Sequence, residues 1–226
     1  KLVLSGAHVT FVAHGEHGLA LRERGLVLRG GTGPALRTPP LRVADMATVS
    51  GRYDVILVAV KSPGLPTVCE ELPNWIQPPG VVLPLQNGLD SEDFVAGYVG
   101  AQRTIASVVY MSGARTAPGE LHVTEHTRIG LAPYRPGQEP DIARLVALFE
   151  QAGVPAQMHE EWQAMLWQKM VWNAPFNALC ALTNKPAAEA LSRNPELVRE
   201  AMDEVMRVAL ADGVHLPPDL PERMIS

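Results

Sequence analysis

The chain has 226 residues, 46% of them hydrophobic and 19% charged, with a formal net charge of −5. That length can bury a sizeable core in one large or two small units, and the acidic balance argues against a nucleic-acid or anionic-membrane surface. No run of about 18 apolar residues marks a membrane span, and the two cysteines, Cys69 and Cys180, stand far apart in no metal-ligand spacing. Free thiols fit a reducing compartment, so a cytoplasmic protein without a metal site is expected.

Residues 1–7 read as the tail of a helix stopped at Gly6, and residues 216–226 as the approach to another helix, so a piece of a longer chain is expected. His8–Ala13 is short, apolar and β-branched, a buried strand. A helix over Glu16–Arg24 is closed by Gly25, and short strands follow at Leu26–Leu28 and Leu41–Val43. Asp54–Val60 is continuously apolar, as a central parallel strand is. A helix over Gly64–Leu72, a strand at Val81–Leu85, a helix over Ser91–Tyr98 and a strand at Thr104–Met111 continue the alternation. Glu120–Leu131 reads as a hairpin or meander.

This alternation predicts an α/β fold, a Rossmann-like doubly wound sheet that is incomplete at its N-terminal end. Pro133–Pro140 holds three prolines and a glycine and is taken as a linker. Residues 1–132 would then be a dinucleotide-binding unit and 141–226 an all-helical one. The helices are expected at Ile142–Ala152, Glu160–Leu182, Ala187–Ser192 and Pro195–Asp212, with Pro175 kinking or splitting the second.

The segment from Trp167 to Asn177 carries Lys169, Asn173 and Asn177 at i, i+4 and i+8. On a helix these share one face, drifting about 40° per step. Their neighbours Leu166, Met170, Val171 and Phe176 are apolar. A cation and two amides on such a helix need polar partners if that stripe is buried, and a polar substrate is one. Spacing alone leaves a solvated stripe equally open.

Open α/β sheets bind ligands beyond the carboxyl ends of their strands. Three polar features lie there: His14-Gly15 after the first strand, Lys61-Ser62 after Asp54–Val60, and Gln86-Asn87-Gly88 after Val81–Leu85. The tip before His14 has no carboxylate, which favours NADP over NAD, because an acid there selects the ribose 2′-hydroxyl. The Gly30–Gly33 run precedes Pro34 rather than a helix, so it is expected to be a surface turn and not a phosphate-binding fingerprint.

The blocks GAHVTFVAHGEHGLALRERGL, VAVKSPG, PLQNGL, APGELHVTEHTRIG and WQKMVWNAPFNALCALT together resemble the ketopantoate reductase (2-dehydropantoate 2-reductase) family over almost the whole length. The resemblance implies NADPH-dependent reduction of 2-dehydropantoate to pantoate, on the way to pantothenate and coenzyme A, and a possible homodimer. It implies Lys169 as the general acid, Asn173 and Asn177 as substrate-binding residues, and Asn87 between nicotinamide and substrate. Lys61 would touch the cofactor phosphate or ribose, and His14 stands where the family often has an NADP-binding arginine. The resemblance also implies a serine and a glutamate in closing helices, which are expected beyond residue 226. A related 2-keto acid or opine-type dehydrogenase, and a non-catalytic dinucleotide-binding regulator, are the competing readings. Lys169 with Asn87, Asn173 and Asn177 argues for an enzyme over a regulator, since binding alone needs no acid.

Overall fold

A computed structural model of the chain describes residues 1–30, 34–124 and 127–225. Most of the expected turn at Gly30–Gly33 therefore lies outside the described residues. The chain begins with a hydrogen-bonded turn in which the N–H of Ala7 donates to Leu2 O at 3.1 Å and that of Gly6 to Val3 O at 3.2 Å. Gly6 has φ of +92°, so residues 2–7 have the helix-ending geometry expected of a glycine stop.

Strand β1 (Thr10–Val12), helix α1 (Gly15–Arg24), β2 (Val27–Arg29), β3 (Leu36–Arg37), β4 (Arg42–Ala44) and β5 (Tyr53–Val58) follow. A 3-10 turn at Ser62–Gly64 leads to α2 (Leu65–Trp75), then β6 (Ile76–Pro84), α3 (Ser91–Val99) and β7 (Ile105–Tyr110). Next come β8 (Gly113–Ala117), β9 (Glu120–Val123), β10 (Arg128–Pro133), α4 (Glu139–Gln151) and β11 (Ala156–Met158). The remainder is α5 (Trp162–Thr183), α6 (Ala187–Arg193), α7 (Pro195–Ala211) and α8 (Leu220–Ile225).

The doubly wound pattern is present as parallel pairs. β1 runs parallel to β4 and β5 to β6, and a parallel bridge between Val82 and Thr104 joins β6 to the start of β7. β7 pairs antiparallel with β10, which pairs parallel with β11. Helices α2 and α3 cover one face, where Cys69, Leu72, Ile76, Val82 and Val95 are fully buried. Helix α4 covers the other through Ile142, Leu145 and Phe149 against Leu83, Ile105 and Leu131. Each such side chain contributes roughly 1.5–3 kcal/mol of burial.

The hairpin expected at Glu120–Leu131 is displaced. β9 turns back through Gly119 onto β8, and β2 joins it in a small four-stranded sheet of order β3-β2-β9-β8. β10 belongs to the main sheet instead, because Ile129 and Leu131 are buried under α4. The proline-rich segment 133–140 does not end the sheet either. Gln138 is 2% exposed and donates to Thr104 O at 2.9 Å, Gln102 O at 3.2 Å and Ala101 O at 3.3 Å. Those bonds fasten the segment to the root of β7, and β11 beyond it extends the sheet to Met158. From Trp162 to Ile225 the described residues contain helices and no strand.

Helix α5 is unbroken through Pro175. The proline removes one N–H donor from a 22-residue helix, and burial on both sides holds the rest. Met165 and Leu166 in its first half pack on Ala106 and Val108 of β7. Val171 and Phe176, further along, pack on Val198, Met202 and Leu220 of α7 and α8. One helix thus belongs to both layers.

Glu92, in the first turn of α3, is 1% exposed. Burial pushes its carboxyl up to about 7, although N–H groups of its own residue and of Ser107 pull the other way. The folded state keeps the proton to about pH 7, whereas the unfolded chain releases it near 4.5. Stability from this group is therefore lost as pH rises across that window, by on the order of 3 kcal/mol at most. Urea denaturation of Glu92→Gln should match wild type near pH 4.5 and exceed it by about 1–3 kcal/mol at pH 8. Parallel stability–pH curves for the two proteins would disprove a buried neutral carboxyl.

Candidate active site

The turn after β6 sets the first part of the site. Gln86 and Asn87 follow the buried end of the strand, and Gly88 takes φ of +130°, a conformation that side chains rarely adopt. The chain can therefore reverse at once, and α3 begins at Ser91. Gln86 reaches sideways: its Nε2 donates to Val58 O and Val60 O, both at 3.0 Å, tying the tip of β5 to that of β6.

Helix α5 supplies the second part. Met165 and Leu166 press it against β7, and one turn further the Lys169 side chain reaches back over the sheet. Its Nζ donates to Asn87 Oδ1 at 2.6 Å and to Val109 O at 2.6 Å, and stands 5.7 Å from the centroid of the Tyr110 ring. The guanidinium of Arg128 lies 4.2 Å from the same ring. Burial lowers the Lys169 ammonium to about 8. An ammonium has three donors; two are used, and one is left for a ligand.

Gln86, Asn87, Gly88, Lys169, Met170 and Asn173 line one cleft, with Val108 and Leu166 as apolar walls. Its accessible volume is about 10 Å³, room for one water. A ligand larger than that requires Lys169 or the 86–88 turn to shift. A wider apolar groove of about 610 Å³ runs between α5 and α7 and shares Met170 with the cleft. Glu204 is the charged residue on its wall, so it lacks the converging polar groups that orient a ligand.

The structure therefore brings together Lys169, Asn173 and Asn87 of the residues picked out by sequence. Asn177 is exposed one turn further along α5 and does not line the cleft. His14 stands between β1 and the start of α1, and Lys61 precedes the 3-10 turn after β5; both are exposed and neither lines the cleft. Sequence reasoning missed the Val109 carbonyl and the role of Gln86 as a clamp. A backbone carbonyl has no sequence signature, while Gln86 stood beside Asn87 at a strand end and was open to notice.

The ketopantoate reductase PanE/ApbA family model matches residues 1–136, and the model of the C-terminal part of the same proteins matches residues 161–226. The chain belongs to the ketopantoate reductase family. This family member is 28% identical to the 2-dehydropantoate 2-reductase of Halobacterium salinarum, over 98% of this chain and 74% of that protein. It is 24% identical to that of a Nostoc species, over 100% of this chain and 72% of the relative. The crystal structure of 2-dehydropantoate 2-reductase from Geobacter metallireducens superposes with a TM-score of 0.91 at 31% identity, covering 99% of this chain and 75% of that one. D-mandelate dehydrogenase with NADH and anilino(oxo)acetate shares the fold, with a TM-score of 0.88 at 20% identity.

The Lys169 contacts carry a direct test. Asn87 Oδ1 and Val109 O both favour the charged amine, whereas burial opposes it. Asn87→Ala removes one acceptor and should lower the Lys169 titration further below about 8. NMR of lysine labelled at Cε reads that titration directly. An unchanged midpoint would show that Asn87 does not hold the ammonium.

Proposed function

We propose that this protein reduces 2-dehydropantoate to pantoate with NADPH. The observation that carries the reading is Lys169, a partly buried amine lowered to about 8 and held between an amide and a backbone carbonyl beside a strand-end cleft. A group that shares its proton near neutral pH suits protonation of a carbonyl oxygen. The names of the relatives support the substrate, and the family supports a nicotinamide dinucleotide.

The donor set at the carboxyl edge fits that dinucleotide: His14 follows β1, Lys61 follows β5, and no acid stands at the β1 tip between Val12 and His14. Lys61 and His14 would hold its phosphate and ribose groups. When bound, the dinucleotide supplies hydride to the keto carbon. Lys169 donates its proton to the carbonyl oxygen and offsets the charge that develops there. Asn87 keeps the ammonium in place, and its amide N–H₂ remains free toward the ligand. Asn173, one turn along α5, holds the substrate's polar groups from the helix side, and Asn177 takes its outer end.

Lys169→Ala should depress kcat about 10²–10⁴-fold while the dissociation constant of NADPH changes little. In the wild type the rate of reduction should fall as pH rises through about 8, because the donor form is then lost. A kcat within a few-fold of wild type, or a flat profile to pH 9.5, would remove Lys169 from the role of acid. Running the assay with 2-dehydropantoate beside other branched and aromatic 2-keto acids tests the substrate, and kcat/KM should be highest for 2-dehydropantoate.

Cofactor choice has its own measurement. Without an acid to bind the ribose 2′-hydroxyl or repel a 2′-phosphate, kcat/KM should be higher with NADPH than with NADH. His14→Arg should widen the gap, since a guanidinium is a stronger phosphate partner than an imidazole. Equal use of both cofactors, or no gain from the arginine, would release His14 from this role.

A further inference from the structure

Gln86 has a feature that the reaction scheme does not use. Its Nε2 faces two carbonyl oxygens, Val58 O and Val60 O, each at 3.0 Å. Turning the amide over would set Oε1 against both, so the orientation is determined by the hydrogen bonds. With the nitrogen so placed, Oε1 is buried and has no hydrogen-bond partner, alone in this among the side-chain atoms of the described residues. A buried acceptor without a donor is costly and marks either a missing water or a ligand.

The surroundings narrow the choice. Gln86 lines the same cleft as Lys169, Asn87 and Asn173. Lys169 does not serve it: its ammonium bonds Asn87 Oδ1 and Val109 O and makes no hydrogen bond to Oε1. Gln86 also spans the carboxyl ends of two parallel strands, β5 and β6, the edge at which open α/β sheets receive their ligands. An amide oxygen there accepts from N–H or O–H and repels carbonyl and carboxylate oxygens. The keto and carboxylate groups of a 2-keto acid are therefore excluded as its partner. A nicotinamide carboxamide presents an N–H₂ group.

We infer that Gln86 is a cofactor-specificity residue, its Oε1 accepting a hydrogen bond from the carboxamide N–H₂ of a nicotinamide bound at the ends of β5 and β6. The inference rests on the dinucleotide reading above and adds the atom that recognises the ring. Oε1 is covered and the cleft has room for one water, so the Lys169 side of the cleft must give way to admit the ring; Nε2, held by two backbone carbonyls, keeps the acceptor's orientation while it does.

The test uses binding without substrate, so that a substrate hydroxyl cannot contribute. Dissociation constants of NADPH and of its reduced 3-acetylpyridine analogue, in which a methyl replaces the carboxamide NH₂, are measured by fluorescence titration. Wild type should bind the analogue roughly ten-fold more weakly, the loss of one hydrogen bond to a buried acceptor. Gln86→Lys keeps donors for Val58 O and Val60 O but removes the acceptor, and should bind both cofactors alike. Gln86→Met, which removes clamp and acceptor together, should also give a ratio near one. Equal binding of the two cofactors by wild type would mean that a water meets Oε1, and would overturn the inference while leaving the dinucleotide reading intact. A ten-fold ratio that persists in Gln86→Lys would overturn it too. Wild type that binds neither cofactor would overturn the dinucleotide reading, and this inference with it.

Discussion

The ammonium of Lys169 donates to Asn87 Oδ1 and to Val109 O, each at 2.6 Å. These two bonds tie the long helix α5 to the turn after β6 and to the flank of β7. Burial works against the charge and lowers the amine to about 8, so the lysine sits where a modest change of surroundings moves its proton. A fully solvated lysine would hold its proton near 10.4 and be a poor donor at neutral pH. A lysine buried without acceptors would simply lose it. The site depends on the balance between those limits, and therefore on where α5 is held.

That placement is a matter of packing. The start of α5 lies on the sheet through Met165 and Leu166, and from Val171 through Phe176 the helix lies among α7 and α8. Lys169 occurs between the two contact patches, where the helix leaves one apolar surface for the other. Trp167 is anchored on the opposite side, its Nε1 donating to Asp212 Oδ2 at 3.2 Å. With both ends of the helix constrained, rotation that would turn Lys169 away from Asn87 exposes apolar area on both sides at once, at about 25 cal/mol per Å².

The sheet side is held with comparable care. Gln86 closes β5 against β6, and Gln138 pins the 133–140 segment to the root of β7. Ser107 Oγ donates to Pro84 O, joining β7 to the end of β6. Side-chain amides and a hydroxyl thus perform the pairing where the backbone ladder between β6 and β7 is reduced to a bridge at Val82 and Thr104. Beyond that bridge, Val109 O accepts from the Lys169 ammonium.

Much of this was legible in the residues. Apolar continuity marked β5, and the i, i+4, i+8 spacing placed Lys169 and Asn173 on one helix face. Such features are local: each follows from a run of neighbours and the period of the element they form. The strand ends at His14, Lys61 and Asn87 followed in the same way. The sequence could not show that β10 joins the main sheet while β9 turns to β8, since both are short apolar strands and the choice depends on what α4 buries. Nor could it show that the proline-rich stretch is pinned to the sheet, because Gln138 finds its acceptors more than 30 residues away. The lysine's two acceptors, the orphaned oxygen of Gln86 and the cleft itself arise from elements separated by up to 82 residues. Local pattern decides which element a residue joins; only burial across the whole chain decides which groups lose water, and with it which of them acquire chemistry.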